Sequence, residues 1–158
     1  LVYDPYQKEQ VFSAHNAASV ELDSLLKEAD LVSIHVPLNE NTQNLLGDRE
    51  LRLLKPEAIL VNTARAAVVD QKALIQAVEE KWIAGVALDV HYEEPPEVGD
   101  PILRLPNILC TPHIGGATWE VITYGSELIT ADLDRILKGM QPENAAVLPV
   151  QARLFEGG

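Results

Sequence analysis

Short runs of almost uninterrupted apolar residues, separated by stretches of helical period, constrain this chain more than any other feature. The runs are Leu1-Val-Tyr, Leu31-Val-Ser-Ile-His, Ala58-Ile-Leu-Val, Ala84-Gly-Val-Ala-Leu and Ile108-Leu-Cys. Branched and aliphatic runs of this length, bounded by turn residues, predict strands. They do not alternate polar with apolar, which predicts burial on both faces, as in a parallel sheet with helices on either side. Between them, residues 21–29 place Leu22, Leu25 and Leu26 on one helical face, and residues 70–81 do the same with Ala73, Leu74, Ala77 and Val78. A short helix is expected over 48–54, with Asp48 as its N-cap and Pro56 as its stop. A long helix is expected over 118–138, with Gly139 as the residue that ends it. Residues 91–107 read as a proline-rich acidic loop. Strands alternating with helices define an α/β fold with a doubly wound parallel sheet.

Composition narrows the function classes. Apolar residues make up 47 % of the 158, enough for a sizeable core. The formal net charge of −12 disfavours phosphate backbones and anionic membranes, so neither nucleic acid nor membrane is expected as a partner. A small anionic substrate is not disfavoured, because a single Arg can bind it. The single cysteine, Cys110, has no partner for a disulfide and no companions for a zinc site, and it reads as a strand residue. No metal is expected. No signal peptide and no apolar run of about 18 residues is visible, and a cytoplasmic setting is expected.

In open parallel sheets, ligands bind beyond the carboxyl ends of the strands. At those ends stand Asp4, His35-Val36-Pro37, Asn62-Thr63-Ala64-Arg65, Asp89 and Thr111-Pro112-His113. Asp4 suits the hydroxyls of an adenosine ribose and would repel a 2′-phosphate, which favours NAD; the competing reading is a plain Asp-Pro turn. Arg65 can pair with a substrate carboxylate through two parallel hydrogen bonds, or it can make a structural ion pair with an acid such as Asp70. His113 can donate a proton to a carbonyl oxygen that receives hydride. Glu94, 19 residues earlier, would fix its tautomer, with Glu93 and Glu97 equally placed on spacing alone. Of the other histidines, His15 reads as solvated, His35 as either pocket border or structural, and His91 as either a substrate contact or structural.

The glycine fingerprint of dinucleotide folds, which should precede Asp4 by about 20 residues, does not occur. Residue 1 is Leu and opens directly into an apolar run. The simplest expectation is a piece of a longer chain that starts just downstream of the fingerprint.

Five segments in order then carry a resemblance: Val2-Tyr-Asp-Pro-Tyr, Ala29-Asp-Leu-Val-Ser-Ile-His-Val-Pro-Leu, Leu54-Lys-Pro-Glu-Ala-Ile-Leu-Val-Asn-Thr-Ala-Arg, Ala84-Gly-Val-Ala-Leu-Asp-Val through Glu94-Pro-Pro, and Thr111-Pro-His-Ile-Gly-Gly-Ala-Thr. Together they resemble the D-2-hydroxyacid dehydrogenase family, of the phosphoglycerate dehydrogenase and glyoxylate-hydroxypyruvate reductase kind, over residues 1 to about 147. The resemblance implies a Rossmann-type fold, NAD as cofactor, and hydride transfer between NADH and a 2-keto or D-2-hydroxy acid. It implies Arg65 as the carboxylate-binding arginine, His113 as the acid/base, and Glu94, directly before Pro95, as its partner. It implies Asp4 at the adenosine ribose, Val36 and Pro37 in the adenine pocket, and Thr63, Ala64 and Asp89 on the nicotinamide side, with Asp89 holding the carboxamide. Gly115 and Gly116 would let the backbone approach the cofactor.

The implied organisation is an NAD-binding domain over 1–117, incomplete at its N-terminal side, a crossover helix over 118–139, and a tail over 140–158 belonging to a substrate domain. Leu128, Ile129, Leu133 and Ile136 would then form an exposed apolar face, the isolated chain would be without turnover, and a homodimer is expected. Two departures from the family pattern stand out. Ala66-Ala67 follow Arg65 where the family usually has Gly, which would cost on the order of 1 kcal/mol if that position takes a positive φ. His91-Tyr92 stand where many members have an aromatic and an acid, and the loop borders the expected substrate. A regulatory NADH-binding protein on the same fold is the alternative reading.

Overall fold

The computed structural model describes residues 1–145. Four parallel strands, β1 (Leu31–Ile34), β2 (Ile59–Asn62), β3 (Gly85–Leu88) and β4 (Ile108–Cys110), form one sheet in the order β1-β2-β3-β4. The helices are α1 (Glu9–Ala14), α2 (Leu22–Glu28), α3 (Asp48–Leu51), α4 (Gln71–Glu79) and α5 (Trp119–Leu137), with 3₁₀ turns at Ala66–Val68 and Ile102–Arg104. This is the α/β, Rossmann-type arrangement expected from the alternation of apolar runs and helical stretches. Contacts divide the chain into a unit Leu1–Ile114 and a second unit that begins at Gly115.

Register explains why the site residues converge. Ile34 pairs with Asn62, Asn62 with Leu88, and Leu88 with Cys110, so the four strands end in one row. The next residues, His35, Thr63, Asp89 and Thr111, therefore leave the sheet at the same edge. Burial alternates along the strands. Val32, Ile34, Leu60, Asn62, Val86 and Leu88 are buried, and the apolar ones join Leu26 of α2, Leu51 of α3 and Leu74, Ala77 and Val78 of α4 in one core. On the other face Leu31 is 57 % and Ile59 43 % exposed. The expected burial of both faces is thus seen on one, because the helices that share this core all cover the same side.

Local signals explain most helix ends. Asp70 accepts the Ala73 N–H at 2.8 Å and caps α4, and Thr118 accepts the Val121 N–H at 3.3 Å and caps α5. The cap of α3 is Gly47 rather than the expected Asp48. Its N–H is held at 3.1 Å by the carboxylate of Glu50, which reaches back one turn. Gly139 follows α5 at φ 74°, a conformation a Cβ would oppose.

One expected strand is corrected. Leu1-Val-Tyr does not join the sheet. Val2 makes a single parallel bridge to Ser19, through Val2 N–H to Ala18 and Val20 N–H to Val2. The extended run ends at the Asp4-Pro5 turn. α1, on the other hand, is not among the expected helices; only Phe12 of it is buried.

In the second unit α5 carries no buried residue: Ile129, Leu133 and Ile136 are exposed and Leu128 is half-buried. The chain after α5 turns back on it. Asp132 accepts the Glu143 and Asn144 N–H groups at 2.8 and 2.9 Å, and Arg135 pairs with Glu143 at 2.9 Å. The rest of the expected 140–158 tail, from residue 146 on, lies outside the described residues. Among the described residues no helix is long and apolar enough to cross a membrane.

Candidate active site

The predicted residues fall into two groups. The first surrounds a cavity of about 910 Å³ whose lining includes Asp4, Tyr6, His35, Val36 and Pro37. Asp4 is half-buried, and one of its oxygens accepts the Tyr6 N–H at 2.9 Å, which braces the Asp-Pro turn. His35 Nε2 lies 2.8 Å from the Ser33 hydroxyl.

The second group is built on the exits of β3 and β4. His113 Nδ1 lies 2.9 Å from each carboxylate oxygen of Glu94. A carboxylate can only accept, so Nδ1 carries a proton and the tautomer is set. No partner of His113 Nε2 is found among the described residues, and the side chain is 39 % exposed. Glu94 also accepts the His91 backbone N–H at 3.1 Å. The hydrogen bond to His113, and after it the His91 N–H, hold the Glu94 carboxyl below its usual range. Glu93 and Glu97, equal to Glu94 on spacing, make no ion pair with His113.

The His113 backbone stands at φ 54°, in the left-handed region. For a residue with a Cβ this costs roughly 1–2 kcal/mol, and it persists only where the surroundings enforce it. Here Asp89, buried at the end of β3, does part of this. Its Oδ1 accepts both the Thr111 hydroxyl and the Ile114 N–H, the latter at 3.0 Å, so it grips the turn on either side of His113.

Arg65 leaves β2 through a turn stapled by Asn62, which is 1 % exposed. Asn62 Oδ1 accepts the Ala64 N–H and its Nδ2 donates to the Arg65 carbonyl, both at 3.0 Å. The Arg65 guanidinium is exposed and touches only the Ala64 carbonyl, at 2.6 Å, among the described residues. The competing ion pair with Asp70 is not formed among the described residues; Asp70 Oδ1 caps α4. Thr63 is exposed and Ala64 half-buried beside it. Ala66 and Ala67 form a 3₁₀ turn with no positive φ, so the cost considered for a missing glycine does not arise. Gly115 and Gly116 open the second unit, and a Cβ on Gly116 would meet no atom within 4 Å.

The sequence-family model for the D-isomer specific 2-hydroxyacid dehydrogenase NAD-binding domain matches residues 1–115. The chain belongs to that family. It is 43 % identical over 144 residues to a glyoxylate reductase of Thermococcus litoralis, covering 91 % of this chain and 43 % of that protein. It is 36 % identical over 148 residues to a D-3-phosphoglycerate dehydrogenase of Methanocaldococcus jannaschii, covering 93 % of this chain and 28 % of that one. The structure of a Lactobacillus jensenii D-lactate dehydrogenase with NAD⁺ superposes with a TM-score of 0.80 at 28 % identity, over 94 % of this chain and 47 % of that one. The chain thus spans less than half the length of these relatives, and what it carries is the family's NAD-binding domain.

The residues present suit that cofactor. The cavity lining includes the Asp4 carboxylate and the apolar side chains of Val36 and Pro37, a polar and an apolar surface of the kinds that a ribose and an adenine need. Among the described residues no three His, Cys, Asp or Glu side chains cluster as metal ligands. Sequence reasoning assigned no role to Asn62, Thr111 and Tyr92. A polar residue at the buried end of an apolar strand was the available signal for Asn62. Tyr92 stood out only as a departure from the family pattern: its ring packs on the core and its hydroxyl donates to the Val69 carbonyl at 2.8 Å. Burial pushes its phenol pKa up.

Proposed function

We propose that this chain is the cofactor-binding and catalytic half of an NAD-dependent enzyme that interconverts 2-keto acids and D-2-hydroxy acids. The observation that carries this is the His113–Glu94 pair. Nδ1 is engaged by the carboxylate, and Nε2 is left to face a reacting oxygen. When bound between Asp4, Val36 and Pro37 on one side and Thr63, Ala64 and Asp89 on the other, NADH would supply the hydride that the keto carbon accepts.

The chain's own residues do the rest. Arg65, exposed and without an ion pair among the described residues, has guanidinium donors available for the substrate carboxylate, which orients the ketone. His113 delivers the Nε2 proton to the carbonyl oxygen as the carbon is reduced, and takes it back from the hydroxyl in the reverse direction. Glu94 stabilises the imidazolium before that transfer and holds the ring in place. Gly115 and Gly116 would border the cofactor.

The test uses the longest natural chain that carries this sequence. NADH consumption is followed with glyoxylate, hydroxypyruvate, pyruvate and longer 2-keto acids. Turnover that falls by about 10² or more in His113→Ala, together with a raised KM for the keto acid in Arg65→Gln, is the expected result. NADH binding with no turnover of any acid would sink the enzyme reading and favour a regulatory NADH-binding protein.

A further inference from the structure

His91 bonds to Glu94 and to the Thr111 carbonyl that the His113 N–H also uses. It follows β3 by three positions and is half-buried. Its backbone N–H donates to Glu94 Oε1 at 3.1 Å. Its ring Nε2 lies 2.9 Å from the Thr111 carbonyl, 20 residues away. That same carbonyl accepts the His113 N–H at 3.0 Å, closing the turn that holds His113 at φ 54°. A carbonyl oxygen can only accept, so Nε2 of His91 carries the proton, whether the ring is neutral or charged.

We infer that His91 is a positioning residue for the acid/base pair: its ring N–H fixes the carbonyl about which the His113 turn closes, while its backbone N–H fixes Glu94. The inference rests on the reading of His113 as the acid/base. Left-handed backbone at a non-glycine residue relaxes when its restraints are removed. The restraints on this turn include Asp89 on Thr111 and Ile114, the Thr111 N–H on Leu88, the His113 N–H on Thr111, Glu94 on the His113 ring, and the His91 ring on Thr111. Losing one hydrogen bond of ordinary strength would lower the ratio of the competent to the relaxed turn by about 3- to 10-fold, and kcat falls as the relaxed turn becomes populated. His91 would thus act through His113 and not on the substrate, which separates this role from a substrate contact.

The substitutions that test it are His91→Phe, which keeps a flat ring and the backbone N–H but removes the donor, and His91→Gln, which restores a donor of similar reach. In the longest natural chain, His91→Phe is expected to lower kcat for 2-keto acid reduction by about 3- to 10-fold, with KM for NADH and for the keto acid within about twofold of the parent. His91→Gln is expected to recover most of that loss. In the 158-residue chain, the His113 ring carbon and proton resonances should move in His91→Phe and return in His91→Gln. An unchanged kcat and an unmoved His113 signal would overturn the inference. So would a rise in KM for the keto acid at intact kcat, which marks a substrate contact. If the parent reduces no keto acid, the proposed function fails, and the His113 resonances alone then decide whether His91 holds the turn.

Discussion

The left-handed backbone of His113 makes a prediction that runs against the usual ranking of side chains. Replacing His113 by Ala keeps the Cβ in a conformation that opposes it, at φ 54°. Replacing it by Gly removes the Cβ and the opposition, which releases roughly 1–2 kcal/mol. Part of this is offset by the larger freedom of glycine in the unfolded chain. Both substitutions lose the ring's bond to Glu94, whose partners are 39 % and 42 % exposed, so that loss is small and common to the two. His113→Gly should therefore be more stable than His113→Ala by about 1 kcal/mol, although neither retains the acid/base. Urea unfolding followed by circular dichroism reads the difference as a higher midpoint at unchanged slope, and a thermal scan as a Tm gap of roughly 2–4 °C. Gln76, exposed within α4, is the internal control. There Gly should be the less stable of the pair by about 1 kcal/mol, since the backbone is helical. An Ala variant at position 113 as stable as the Gly variant, with the control behaving as expected, would refute the strain argument.

Two further expectations concern Glu94 and Gly85. Glu94 has its carboxyl pKa depressed by the His113 and His91 bonds, so its ionised form stabilises the fold above the ordinary value of 4.5, and that contribution disappears as pH falls through the depressed value. Glu94→Gln should accordingly lose stability less steeply than the parent below about pH 4.5, measured by urea midpoints across acid pH; identical slopes would mean that the pair adds nothing to folding. At Gly85, the first residue of β3, an added Cβ would stand 3.0 Å from the Asn107 carbonyl, which already accepts the Val86 N–H and sits in a turn with φ 58°. Gly85→Ala should cost about 1 kcal/mol of unfolding free energy, and a neutral or stabilising result would show that this turn can yield.

Parallel strands, most helices and the site edge are legible in the sequence because their signals are local. The runs at 31–34, 59–62, 85–88 and 108–110 are nearly all apolar, the face of α4 repeats at helical spacing, and Asp70 and Thr118 cap helices that begin directly after them. The rule that ligands lie beyond strand ends then points to Arg65, Asp89 and His113 from residue order alone, whereas Asp4 ends a run that does not join the sheet. Other features depend on partners far along the chain. Val2 makes only a single bridge, to Ser19, and α1 escapes notice because only Phe12 of it is buried. Glu94 cannot be separated from Glu93 and Glu97 by spacing, since a loop's path decides which carboxylate arrives within 2.9 Å of a ring 19 residues away. The same holds for the His91 ring on Thr111 and the Tyr92 hydroxyl on Val69. Periodicity and capping are written in neighbouring residues, so the sequence by itself determined the elements, their order and the edge where chemistry belongs. Hydrogen-bond partners across strands depend on register and loop path, so only the tertiary structure decided which side chains meet at that edge and how the His113 turn is held.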